Sequence, residues 1–215
     1  MDFIEEMMEE GQIVRVFGYG SLLWKPDFRY EQAFIGRIEG YKRRFWQGNV
    51  THRGTDENIG RVATLIPSNK SKVWGVMFEV RDQEAKSKAL NGLTNREVFL
   101  GGYDVIATTF YPRDGECKPC PVIVFMATSQ NSYFLGKANT DTMAMQIVNA
   151  VGPCGTNIEY VTKMADYIKE HIPEDKDTHL FKLDKRVREM SDQKHCLNKS
   201  IGQKEFFEER QETDG

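Results

Sequence analysis

The chain has 215 residues, 40% of them hydrophobic and 11% aromatic, which is enough apolar material for one domain with a real core. Its 29 basic and 32 acidic side chains leave a formal net charge of -3, which excludes the broad cationic field that holds nucleic acid or an anionic membrane. The longest apolar runs, such as Val122 to Ala127, fall far short of the roughly 20 residues a membrane helix needs, and the acidic start from Met1 to Glu10 reads as neither a secretory nor a transit signal.

After this leader, Gln12 to Phe17 reads as a strand that enters the glycine-broken turn Gly18-Tyr19-Gly20-Ser21. Phe34 to Gln47 is extended and aromatic, and Arg61 to Ile66, Val73 to Val80, Tyr103 to Tyr111 and Val122 to Thr128 read as further strands. Between them, Asp82 to Leu93 lacks alternation and is rich in Ala, Lys, Glu and Leu, so a helix is expected there, leading into Asn95-Arg96-Glu97. Asp141 to Val151 and Asn157 to His171 are the clearest helices. The second carries Ile158, Val161, Met164, Ala165 and Ile168 on one face, with Thr156 or Asn157 as its N-cap and Pro173 as its stop. Strands first and helices after predict an α+β domain. From about Asp184 the chain turns charged and glycine-poor and reads as a short helix fading into a tail. The expected organisation is a domain over residues 12–188 and a charged C-terminal tail over 189–215.

Four scattered cysteines, Cys117, Cys120, Cys154 and Cys196, predict free thiols and a reducing, cytoplasmic setting. Cys117 and Cys120 form a C-x-x-C, but prolines flank the second sulfur and the strand-like PVIVFMA follows, where a redox motif opens a helix. A zinc site needs two further ligands, and His195 beside Cys196 is poorly spaced to supply them. No metal is expected.

The strongest local signal for chemistry is Val16-Phe17-Gly18-Tyr19-Gly20-Ser21-Leu22. Paired glycines at a strand end let successive backbone N–H groups converge on an anion such as a carboxylate, and the same residues equally make a plain tight turn. The turn is too short for a Walker loop and lacks the third glycine of a dinucleotide fingerprint. The second signal is Arg96-Glu97 followed by Gly101-Gly102-Tyr103, a carboxylate beside a flexible turn. With 32 acidic residues in the chain, a glutamate in isolation reads as a solvated surface charge.

The combination is more informative. In order along the chain come VFGYGSLLWKPDF, RRFWQGNVTHRG, GRVATL, VWGVMFEV, Asn-Arg-Glu with Gly-Gly-Tyr, TTFYP, the stretch Ala150 to Tyr160, and DTHLFKL, with Trp24, Trp46 and Trp74 among them. This order resembles the ChaC family of γ-glutamylcyclotransferases over roughly residues 14 to 188. The resemblance implies a mixed β-sheet or partial barrel with surrounding helices, glutathione as the usual substrate, and no metal or other cofactor. It also implies that Tyr19-Gly20-Ser21 and its neighbours Val16, Phe17, Gly18 and Leu22 hold the γ-glutamyl end, that Glu97 is catalytic, and that Tyr103 and Tyr160 line the pocket. Two departures stand out: the family has a shorter spacer where this chain carries Val98-Phe99-Leu100, and Thr51 precedes His52-Arg53-Gly54 where an acid is common. The resemblance predicts conversion of glutathione to 5-oxo-L-proline and L-cysteinylglycine. It leaves open a cyclotransferase for other γ-glutamyl amino acids or amines, and a non-catalytic regulatory binding protein. Arg44, Arg53 and Arg61 are candidates for the glycyl carboxylate, but structural ion pairing suits each of them as well.

Overall fold

The structure is a computed structural model that describes residues 12–87, 104–115 and 118–213, with side chains as far as Cys196. Five strands make up its centre: β1 (Val14–Gly18), β2 (Gln32–Asn49), β3 (Gly60–Val80), β4 (Asp104–Pro112) and β5 (Cys120–Met126). They close into a barrel in the order β1-β3-β2-β4-β5. Neighbours are antiparallel except at the seam, where β1 runs parallel to β5 with Val16 opposite Ile123. The expected mixed sheet is therefore present and wraps round on itself, which removes its free edges. Phe17, Ile38, Met77 and Phe110 are among the fully buried residues that fill it, with the rings of Phe17 and Phe110 5.9 Å apart across it.

One expectation needs correcting. Arg61 to Ile66 and Val73 to Val80 are not two strands but parts of the single strand β3. Its partner β2 is nearly as long, and the register jumps from Glu39 opposite Lys72 to Tyr41 opposite Pro67. Gly40 takes the bulge with φ +86°, a conformation that costs glycine little, and Pro67 stands where the ladder is already irregular. The bulge also flips parity along β2: Gly36 and Ile38 point inward before it, and Arg43, Phe45 and Gln47 after it.

Helices follow the barrel. α1 (Thr140–Asn149) is capped by Asn139, whose side chain accepts the Thr142 amide at 2.7 Å. A two-residue ribbon, β6 (Val151–Gly152) and β7 (Gly155–Thr156), turns the chain into α2 (Asn157–His171). The cap of α2 is Thr156, which accepts the Glu159 amide at 3.1 Å. Asn157 serves another purpose. Fully buried, it accepts the Arg61 amide at 2.6 Å and donates to the Arg61 carbonyl at 2.8 Å, fastening the helix to β3. The buried face of α2 holds Val161, Met164, Ala165 and Ile168, as the spacing predicts, joined by Tyr160, whereas Ile158 is only half-buried.

α3 (Thr178–Thr213) starts earlier and runs further than the short helix expected near Asp184, and it crosses the 188/189 boundary without a break. Asp184, 2% exposed, ties it to α2 by accepting Lys169 at 2.8 Å, while also accepting Arg188 of its own next turn at 2.8 Å. Of the helix expected over Asp82 to Leu93, residues 83–87 are helical, with Asp82 capping the Ala85 amide at 2.8 Å, and the rest lies outside the described residues. Among the described residues no helix is long and apolar enough to cross a membrane.

Candidate active site at the glycine turn

β1 leaves the barrel at Gly18, and the next four residues form a turn held at both ends. The Tyr19 hydroxyl donates to the Phe125 carbonyl of β5 at 2.7 Å, and the Tyr19 carbonyl accepts Nε of Arg43 at 3.0 Å. A single 3-10 turn over Ser21–Leu23 follows, closed by the Leu23 amide on the Gly20 carbonyl at 3.1 Å and by Lys25 on Ser21 at 2.9 Å. Gly18 has to be glycine because a Cβ there would stand 2.7 Å from that of Leu22.

Around this turn lies a small cavity with room for about 50 Å³ of solvent, walled by Phe17 to Leu22, Ala63 of β3, Phe125 of β5 and Tyr160 of α2. It has room for a small polar group. Tyr160 is 5% exposed, and its hydroxyl accepts the Ala63 amide at 3.2 Å, so its own proton is directed elsewhere. The ring is held edge-on by Trp24 and Phe45, with the Arg53 guanidinium 6.0 Å from its centre. Arg53 donates to Glu159 at 2.8 Å and to the Thr156 carbonyl at 3.1 Å. Hydrogen bonds from Lys163 and then Arg53 hold the Glu159 carboxyl below its ordinary range.

Seven of the residues singled out from sequence thus meet at one cavity: Phe17, Gly18, Tyr19, Gly20, Ser21, Leu22 and, from 138 or more positions further on, Tyr160. Val16, on the face of β1 opposite to that of Phe17, is buried and is not among the walls. Glu97, Tyr103 and the spacer Val98-Phe99-Leu100 lie outside the described residues. Sequence reasoning missed Ala63 and Phe125, which read there only as strand residues. It also missed Arg43, for which the signal was its inward parity with Phe45 and Gln47 on β2.

The three arginine candidates for the glycyl carboxylate all have structural roles. Arg44 donates to the Arg43 carbonyl at 2.6 Å, Arg53 pairs with Glu159, and Arg61, 3% exposed, reaches the Phe45 carbonyl at 2.9 Å. Burial lowers the pKa of Arg61. His179 accepts the Phe45 amide at 3.2 Å through Nε2 and is neutral at physiological pH: burial, followed by the charge of Arg44, depresses its pKa to about 4. Among the described residues no group of three or more His, Cys, Asp or Glu is gathered as metal ligands.

A closed five-stranded barrel with a helical layer and a glycine turn at its mouth is the fold of γ-glutamylcyclotransferases. A crystal structure of a γ-glutamylcyclotransferase specific to glutathione from yeast matches it with a TM-score of 0.76 at 26% identity, covering 82% of this chain and 96% of that one. The chain belongs to the ChaC-like protein family, which matches residues 14–190, the family its motif order had suggested. It is 44% identical over 169 residues to the rat protein named glutathione-specific γ-glutamylcyclotransferase 1, covering 79% of this chain and 76% of that one, and 43% identical to the human protein of that name over the same length. A Schizosaccharomyces pombe protein named glutathione-specific γ-glutamylcyclotransferase is 33% identical over 188 residues, 80% of this chain and 91% of its own.

Proposed function

We propose that this chain is a glutathione-degrading γ-glutamylcyclotransferase, a lyase that converts glutathione to 5-oxo-L-proline and L-cysteinylglycine. The observation that carries the proposal is the 44% identity, over 79% of this chain, to a relative bearing that activity in its name. In this reading the substrate supplies its own nucleophile. The free α-amine of the γ-glutamyl unit attacks the γ-glutamyl carbonyl, a five-membered lactam closes, and the bond to the cysteinyl nitrogen breaks. Effective molarities of about 10⁵–10⁸ M for well-oriented intramolecular attack let a site that merely folds the substrate do much of the catalysis.

Protons still have to move. An α-ammonium titrates near about pH 8 and has to lose a proton to become a nucleophile. Glu97 takes it and returns one to the departing cysteinyl nitrogen, which is too basic to leave as an anion. The backbone amides of the Phe17 to Leu22 turn hold the substrate α-carboxylate, and Tyr160, with Tyr103, lines the pocket. Among the described residues Cys120, Cys154 and Cys196 form no disulfide, which agrees with a cytoplasmic setting.

The test is direct. Purified protein is incubated with reduced glutathione, without added metal or nucleotide, and both products are assayed. Equal release of 5-oxo-L-proline and L-cysteinylglycine is expected. Glu97→Gln keeps the circular dichroism spectrum and lowers release about 10²- to 10⁴-fold. Full turnover by that variant assigns the base elsewhere.

A further inference from the structure

Arg43 is 1% exposed, and its guanidinium is spent on four acceptors. Nε donates to the Tyr19 carbonyl at 3.0 Å, Nη2 to the Trp74 carbonyl at 2.8 Å, and Nη1 to the carboxylates of Asp175 and Asp177 at 3.1 Å each. These partners divide between two faces. Arg43, Trp74, Asp175 and Asp177 wall a separate surface cleft, whereas Tyr19 and Gly20 wall the glycine-turn cavity and Arg43 does not.

The peptide between Tyr19 and Gly20 translates that division into chemistry. It is trans, so the Tyr19 carbonyl and the Gly20 N–H point in opposite directions. Anchoring the carbonyl to Arg43 turns the N–H away from the guanidinium, and Gly20 itself walls the cavity, where a Cβ on it would lie 3.2 Å from the Tyr160 hydroxyl. Among the described residues the Gly20 amide has no hydrogen-bond acceptor. An oriented donor without a partner, at the wall of a cavity, is the feature an anionic ligand group satisfies. The charge on Arg43 adds to this, because a charge-assisted hydrogen bond to a carbonyl polarises its peptide and strengthens the N–H at the other end.

We propose that Arg43 is the positioning residue of the site, setting the Gly20 amide as the donor that binds the substrate α-carboxylate. This rests on the activity proposed above. Arg43 touches no substrate. It acts through one peptide plane, and its own placement depends on Asp175 and Asp177 at the approach to α3.

The experiment uses the full chain with two variants. Arg43→Lys keeps the charge but loses the planar fork that serves four acceptors at once. Arg43→Gln combined with Asp175→Asn removes the cation together with one of its two carboxylates, which guards against a variant that fails to fold. For each, kcat and KM for reduced glutathione are measured beside circular dichroism, and the ¹⁵N–¹H signal of Gly20 is followed as L-5-oxoproline is titrated. The expected result is a KM raised about ten- to hundred-fold with kcat changed far less, the loss of one charge-assisted hydrogen bond. The Gly20 signal shifts with 5-oxoproline in the unsubstituted protein and stops responding in the variants. A merely structural role lowers kcat through the folded fraction and leaves KM and the Gly20 response intact, which overturns the proposal. A Gly20 signal that is silent in the unsubstituted protein overturns it as well. Protein that binds 5-oxoproline through Gly20 yet releases none from glutathione refutes the activity and leaves the role of Arg43 in ligand binding standing.

Discussion

Two charged clusters brace the barrel, and they are compensated in opposite senses. Near the end of β3, Glu79 lies between Arg15 and Arg81, each at 2.8 Å, so two cations share one carboxylate. At the approach to α3, Arg43 lies between Asp175 and Asp177, each at 3.1 Å, so two carboxylates share one cation. Burial pushes the Glu79 carboxyl up, but hydrogen bonds and charge from Arg81 and Arg15 outweigh it and hold the group below its ordinary value. At Asp175 burial wins with help from Asp177, and the carboxyl lies above its ordinary value despite Arg43. Arg43 itself is opposed by burial, yet its two carboxylates more than restore it, and its pKa is raised. The difference separates two uses of buried charge: the Glu79 cluster joins strands already paired in one sheet, whereas the Arg43 cluster fixes a backbone carbonyl at the mouth of the cavity.

The largest test of that contrast is deletion of one cation from each cluster. Arg43→Met leaves two carboxylates without their buried partner and is expected to cost about 3–5 kcal/mol in denaturant unfolding. Arg15→Met, at a side chain 24% exposed and with Arg81 still on Glu79, is expected to cost about 1 kcal/mol or less. Equal losses break the comparison.

Next in size is the pH response of the Arg43 region, set by His179 beside Asp177. The imidazole titrates at about 4 in the folded protein and near 6.5 when unfolded. Its pKa is depressed, so the unfolded chain binds the proton first and stability falls as pH drops from 6.5 towards 4. The loss is expected to be about 2–3 kcal/mol, and His179→Gln flattens it in thermal unfolding followed across that range.

The smallest effect sharpens the contrast at lower pH. Glu79 contributes stability above its unfolded pKa of 4.5 and loses it as pH falls through its lower folded value, so Glu79→Gln removes that acid limb. Asp175 has the opposite sign: its raised pKa makes the folded state take up the proton first, and acidification relieves a penalty. Asp175→Asn therefore steepens the acid loss. Unfolding curves between pH 5 and 3 that move in the same direction for both variants refute the opposite compensation.

Much of the fold was legible in the chain because alternation and amphipathic spacing are local. The buried stripe of α2, the strand leading to Gly18 and the strands-then-helices order follow from neighbours along the sequence. The unity of β3 was not legible, since Pro67 and the polar stretch after it read as a break, and only pairing with the long strand β2 carries it through. In the site, the glycine turn was legible from its paired glycines. Arg43 was not, because an arginine in the run Arg43-Arg44 reads as surface until the Gly40 bulge sets its parity inward.

What the sequence determined by itself is therefore most of the elements and the family, both carried by residue types at short spacing. Tertiary structure alone decided that Ala63 and Phe125 would share a cavity with the turn, and that carboxylates 132 and 134 positions away would neutralise Arg43. The physical reason is closure of the barrel, which buries a guanidinium and so makes distant partners obligatory where local sequence required none.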